Sequence, residues 1–99
     1  MTTPPPDIDL NRAAIQSALT ALREGRSTGN TTLDQVADAL GRRRARAWAH
    51  LRNVCPHVAE ADIDLAADRV VDVLAAVPAL VVRMVVADAV ARAAAGGAS

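Results

Sequence analysis

Several residue types are rare or missing in this chain. It has no lysine, phenylalanine or tyrosine, one tryptophan, Trp48, and one cysteine, Cys55. A single cysteine excludes an intramolecular disulfide and favours a reducing, cytoplasmic setting. The N-terminus also lacks the basic start and apolar run of a secretory signal. The absence of lysine is typical of the coding bias of a GC-rich genome, and we give it no functional weight.

Motifs that identify enzymes and metal sites are missing as well. There is no Gly-rich phosphate-binding loop, no Gly-x-Ser-x-Gly elbow and no plausible nucleophile–base pair. The i,i+4 row of Asp64, Asp68 and Asp72 is better explained as a solvated stripe near a helix N-terminus than as catalytic carboxylates. Neither Cys55 nor His57 has the paired spacing of zinc ligands. We therefore predict no enzyme, no catalytic residues, no metal and no cofactor.

The composition indicates one all-α domain. Half of the 99 residues are hydrophobic (52%), most of them Ala, Val and Leu. The pattern predicts a bundle of about five helices over residues 7–95, in an N-terminal half (7–55) and an apolar half (60–95). Residues 1–6, with three prolines, and residues 96–99 are predicted to be a disordered lead and tail.

Capping signals place the helix ends. Asp7 or Asp9 is predicted to cap the first helix, which ends at Gly25. Thr32 is predicted to cap the second as a capping box with Gln35. Asp62 or Asp64 is predicted to cap the fourth. The residues of this fourth helix that are predicted to face the core are Ile63, Ala66, Ala67, Val70, Val73, Leu74 and Val77. The fifth helix follows Pro78, with Asp88 and Arg92 as an i,i+4 pair.

The most distinctive segment is Leu33–Gly41, followed by arginines. Five arginines fall in residues 42–52 without an acid among them, although the net charge of the chain is zero. Val36, Ala37, Leu40 and Gly41 have the spacing of a helix that packs before a sharp turn. Together with Ala47 and Leu51, they make residues 33–54 resemble the helix-turn-helix DNA-binding proteins as a broad class.

The resemblance implies a three-helix unit whose third helix enters the major groove of DNA. Side chains for base edges would be Arg43, Arg46, His50 and Asn53. Side chains for phosphates would be Arg42, Arg44 and Arg52. The alternative is that Gly41 lies inside one long helix whose arginines form a solvated face. Trp48 is predicted to pack against the first helix as a core anchor rather than to stack on a base.

The Ala79–Val86 segment is unusually apolar. A membrane span is disfavoured by Pro78, Arg83 and Asp88, and a lone β-strand would have no partner. A helix that a small bundle cannot cover fits better, so we predict a homodimer interface there. Its predicted residues are Val70, Leu74, Val77, Leu80, Val81, Met84 and Val85.

Two functions from different classes follow from these features. The first is a small cytoplasmic DNA-binding regulator that dimerises through its C-terminal helices. The alternative is a non-enzymatic helical protein–protein interaction module, either a homodimer or an adaptor, that binds no nucleic acid. A salt-dependent shift of random duplex DNA would separate the two.

Overall fold

The computed structural model describes residues 10–97, and within that range the chain contains helices and no strand. The helices are α1 (Arg12–Glu24), α2 (Thr31–Val54), α3 (Glu60–Ala75) and α4 (Pro78–Gly97). The all-α prediction is confirmed, but the described range holds four helices instead of five. The predicted lead and the predicted caps Asp7 and Asp9 lie outside the described residues, whereas Gly96 and Gly97 of the predicted tail belong to α4.

Helix α2 is one element of 24 residues that continues through Gly41. Of the glycines in the described range, only Gly25 and Gly29 have positive φ. A Cβ atom on Gly41 would lie 3.2 Å from Cδ1 of Leu22, so glycine allows α1 to pack closely against α2. The predicted turn at Gly41 is therefore wrong. The two helices expected on either side of it are a single helix, which accounts for the count of four.

The helix ends differ in part from their predicted caps. Gly25 ends α1 in the left-handed conformation, as predicted. The N-caps are Asn11 for α1 and Asn30 for α2, and each side chain accepts a backbone N–H. Thr32 therefore lies inside α2, one residue beyond its start. Asp62 and Asp64 also lie inside their helix, because α3 follows Ala59 without a side-chain cap.

The core lies between α2 and the other three helices, and each of these three helices contacts α2. α2 and α3 run antiparallel, since residue 44 pairs with residue 68 and residue 48 with residue 64. The buried cluster is small and consists mainly of Ala, Val and Leu side chains. Its members are Ile15, Ala18, Leu19, Val36, Ala37, Ala39, Leu40, Val71, Ala75, Val81 and Met84.

Helix α3 is rotated relative to the prediction. Val70, Val73 and Val77 were placed inward by periodicity, yet their exposed fractions are 40%, 67% and 47%. The residues that face the core are Ile63, Ala67, Val71 and Ala75. This rotation places one side of α3, which carries Asp64, Asp68 and Asp72, toward cations of α1 and α2.

Candidate functional site

The arginines of α2 are the first candidate site, and Arg43 is the most enclosed of them. Its Nη1 donates to both carboxylate oxygens of Asp88 on α4, at 2.7 and 2.6 Å. Arg42 adds a longer contact of 3.4 Å to the same carboxylate. The side chains of Arg43 and Asp88 are only 20% and 13% exposed. Asp88 is thus bound across the bundle to α2, and its predicted i,i+4 partner Arg92 makes no direct ion pair with it.

The geometry of this ion pair lowers the pKa of Asp88. The hydrogen bond from Arg43 holds the pKa of Asp88 below its ordinary value, although partial burial acts in the opposite direction. The charges of Arg43, Arg42 and Arg92 contribute in the same direction as the hydrogen bond. Asp88 therefore stays ionised well into acidic solution, and the contact between α2 and α4 keeps its charge.

Arg44 and Trp48 bind α3 in a similar way. Nε of Arg44 donates to Asp68 at 2.7 Å, and Nη2 lies 3.8 Å from Asp64. The indole N–H of Trp48 donates to Asp64 at 2.7 Å. Trp48 is half-buried and is not one of the buried core residues, so its predicted role as a core anchor against α1 is wrong, and its indole binds a carboxylate of α3 instead.

The acidic row of α3 is therefore a set of helix-to-helix contacts. Besides Asp64 and Asp68, Asp72 accepts a hydrogen bond from Arg23 of α1 at 2.8 Å. The i,i+4 spacing places all three carboxylates on one side of α3, and every one of them has a cationic or N–H partner. This row was predicted to be a solvated stripe, and its side chains are indeed 38–55% exposed, but each of them also joins α3 to another helix.

The seven predicted DNA contacts are thereby divided. Arg42, Arg43 and Arg44 make ion pairs within the chain. The other four side chains are exposed and join no other described residue through a hydrogen bond or ion pair. These four, Arg46, His50, Arg52 and Asn53, occupy the C-terminal half of α2. The structure thus separates the seven residues into a structural group and a free group.

The predicted dimer residues are divided too. Val81 and Met84 belong to the core of the single chain, with Leu74 and Val85 packed against it. Val70, Val77 and Leu80 are exposed, at 40%, 47% and 36%. Val81 and Met84 are therefore unavailable as surface contacts, because the other helices of the same chain already cover them.

Val70, Val77 and Leu80 belong to a larger exposed apolar surface, the rest of which sequence reasoning missed. We call it the α3–α4 apolar surface, and it comprises Leu65, Val70, Val73, Val77, Leu80, Val82, Val86 and Val90, each at least 36% exposed. Val82, Val86 and Val90 lie four residues apart on α4, on the side away from Val81. Periodicity does not identify such residues, because α4 is apolar on nearly every side. Every residue from 89 to 96 is exposed as well.

The loop before α2 is held by one carboxylate. Asp34 accepts hydrogen bonds from the backbone N–H of Thr28 and from the hydroxyls of Thr28 and Ser27, at 2.8–2.9 Å. These bonds, chiefly the one from the Thr28 N–H, lower the pKa of Asp34 below its usual value. Because both carboxylate oxygens of Asp34 accept hydrogen bonds from the loop, this cluster holds the loop in place before α2.

Metal sites and membrane spans are two further kinds of functional feature. Among residues 10–97, no three His, Cys, Asp or Glu side chains lie close enough together to hold a metal ion. No single helix in that range has both the length and the hydropathy of a membrane span. Only α3 and α4 taken together meet that test, and they are bent by 103°.

The chain was also compared with known proteins. No family model matches it, and neither a curated protein nor a solved structure shows significant similarity to it.

Proposed function

We propose that this chain is a non-enzymatic helical protein–protein interaction module that binds through the α3–α4 apolar surface. The observation that carries the proposal is the concentration of eight exposed Val and Leu side chains between residues 65 and 90. On small proteins, a concentration of exposed apolar side chains of this kind is characteristic of interaction sites.

The energetic argument starts from the size of these side chains. Burying a Val or Leu side chain completely contributes about 1.5–3 kcal/mol. The members of the surface are between 36% and 67% exposed, so each leaves a substantial part of that free energy unrealised. A partner that covers several of them recovers it, and most of the binding free energy would come from this burial.

The ion pairs of the arginines also support the interaction module. Arg42, Arg43 and Arg44, the densest part of the basic segment, are engaged by Asp88 and Asp68. Their role in this proposal is to hold α2 against α3 and α4, so that the apolar side chains are presented on a rigid bundle. The basic segment then serves the fold, and the apolar surface serves binding.

Self-association provides the direct test of the homodimer form. Sedimentation velocity from about 5 to about 500 µM covers the affinity range of small interfaces. We expect the average mass to rise toward that of two chains, and Leu65→Ser together with Val73→Ser to weaken the association by at least about tenfold. Ala45→Ser with Ala49→Ser, on the exposed side of α2, is the matched control. Equal association of both double variants would show that the exposed apolar side chains of α3 are not the contact.

Binding of duplex DNA is the second candidate, and one specific observation favours it. Arg46 and Arg52 are exposed without ion pairs, beside exposed His50 and Asn53. Arg and Asn are side chains that recognise base edges, and Arg also binds phosphates. A single exposed helix is sufficient to enter a major groove.

The salt dependence of a gel-shift assay tests this candidate quantitatively. Each neutralised phosphate contributes about −0.9 to the slope of log affinity against log salt concentration. Two free arginines therefore predict a slope of about −2, whereas five would give about −4.5. Arg46→Gln with Arg52→Gln should abolish the shift, and Arg12→Gln should not. No shift at low salt would eliminate DNA binding and leave the interaction module.

A further inference from the structure

The outward side of α3 carries an ordered row of residues. Asp62, Leu65, Arg69, Val73 and Ala76 follow one another at spacings of three and four, so they share one side of the helix. All five are exposed, with Leu65 at 63% and Val73 at 67%. This side is opposite the core residue Ala67. The outward row therefore lies on a surface that the rest of the bundle leaves uncovered.

Two charges in this row have no ion-pair partner in the described part of the chain. Asp64, Asp68 and Asp72 on the neighbouring side of α3 are each engaged by α1 or α2, but Asp62 and Arg69 are not. They are opposite in sign and lie seven residues apart, which is about 10 Å along the helix. Leu65 and Ala66 are at the midpoint between them.

We propose that the outward row of α3 binds the same row of a second copy in an antiparallel, two-fold symmetric pair. Asp62 of each chain then contacts Arg69 of the other. A two-fold contact repeats itself, so one complementary pair of charges gives two ion pairs. The proposal rests on the proposed function and deepens it, because it names a second copy as the partner and assigns the register.

The register follows from the two charges. When residue 62 lies opposite residue 69 of the other copy, Leu65 of the two chains meet at the two-fold axis beside Ala66. Val73 then lies at the N-terminal end of α3 of the other copy, toward the loop that carries Val58, which is itself 39% exposed. Burial of these apolar side chains supplies the affinity. The exposed ion pairs add little free energy and select the antiparallel register.

Helix α4 does not have this self-complementarity. Its exposed side presents Val82, Val86 and Val90 with the cation Arg83 among them. The only carboxylate of α4 is Asp88, which is already bound by Arg43 and Arg42. Two copies of α4 would therefore bring cations together without an acid between them. Among the two helices of the apolar surface, charge complementarity with a second copy belongs to α3.

The contact is short, which determines how it must be measured. Residues 62–73 span about 17 Å along the helix, so the area buried lies toward the small end of specific interfaces. Contacts of that size are characteristic of weak, transient association. Dissociation should therefore be followed by sedimentation equilibrium up to about 500 µM, where such a dimer is populated.

A charge exchange tests the pairing itself. Asp62→Arg and Arg69→Asp each place like charges opposite one another, and each should weaken the dimer by about tenfold. The double variant, Asp62→Arg with Arg69→Asp, restores opposite charges and should recover wild-type affinity to within about twofold. Asp38→Arg and Arg12→Asp are matched controls, since both residues are exposed and outside ion pairs. Far-UV circular dichroism checks that every variant remains folded.

The outcomes separate this inference from the proposed function. Loss in both single variants with recovery in the double variant supports the α3 pair. Unchanged dimerisation in the single variants, with loss in Val82→Ser/Val86→Ser, overturns the α3 pair and leaves α4 as the binding surface. A wild-type chain that stays monomeric over the whole range also overturns the α3 pair. It leaves the apolar surface to a different protein.

Discussion

At the scale of single residues, the carboxylate of Asp88 belongs to the least exposed ion pair in the described part of the chain. It joins α4 to α2 through Arg43, and both side chains are mostly shielded from solvent. Removing one partner of such a pair leaves the other charge partly buried and uncompensated, which costs more than the pair contributes when intact. The ion pair therefore matters most when it is broken.

We predict that Asp88→Asn lowers the free energy of unfolding at pH 7 by about 1–3 kcal/mol. Urea unfolding followed by circular dichroism measures the change. Asp38→Asn is the control, because Asp38 is exposed and makes no ion pair in the described range. An effect of Asp88→Asn no larger than that of the control would show that the contact with Arg43 adds nothing to stability.

The same variant has a defined pH dependence. The pKa of Asp88 is lowered in the folded chain, so its stabilising contribution is fully present above the unfolded value of about 3.9. That contribution is lost as the pH falls through the lower folded value. The difference in stability between wild type and Asp88→Asn should therefore be constant from pH 7 to pH 5 and shrink below about pH 4.

At the scale of the helices, the course of α2 through Gly41 decides how the basic segment is used. A continuous helix keeps Arg43 and Arg44 in line with the acids of α4 and α3, whereas a turn would have carried them away from the bundle. The glycine is retained at a position where Leu22 of α1 lies against the helix. Its function in the fold is close helix packing.

We predict that Gly41→Ala leaves α2 intact and raises the free energy of unfolding by about 0.5 kcal/mol. Alanine gains up to about 1 kcal/mol of helix propensity over glycine. The new Cβ would lie 3.2 Å from a methyl group of Leu22, which is only half-buried and able to shift by a few tenths of an ångström. Thermal unfolding measures the outcome. A loss of more than 1 kcal/mol would mean that Leu22 does not yield.

How much of this architecture the sequence predicts depends on the element. The end of α1 at Gly25 and the separation of α3 from α4 at Pro78 follow from local chemistry, and both are found. The continuity of α2 depends on a neighbour from another helix, Leu22, which no local pattern reveals. The side of α3 that faces the core depends on which of its two apolar stripes the other helices cover. The partners of its carboxylates on α1 and α2 determine which stripe that is.

The candidate site was predicted less well than the fold for the same reason. Spacing identifies Arg43 and Arg46 as exposed on one side of a helix, but only tertiary packing brings Asp88 to one of them. On α4, Val82 and Val81 have the same side chain, and one is exposed while the other is buried. A helix that is apolar all round carries no periodic signal for the difference.

At the scale of the whole molecule, the core is modest and the uncovered apolar surface is large. Six of the fourteen buried hydrophobic residues in the described range are alanines, which remove little surface from water. A chain of this size folds with a narrow margin between burial and conformational entropy. Association that covers the α3–α4 apolar surface would therefore stabilise the folded state as well as form a complex.

This coupling predicts that the melting temperature depends on protein concentration. A partner that binds only the folded chain stabilises it by mass action, by about 1 kcal/mol when its free concentration is about five times the dissociation constant. For a domain of about 100 residues, this corresponds to an increase of about 5 °C. Scanning calorimetry from about 5 to about 500 µM measures it, with Leu65→Ser/Val73→Ser as the comparison. A melting temperature that is independent of concentration would mean that two copies of this chain do not cover the surface, since no folded dimer is then available to draw the equilibrium away from the unfolded state.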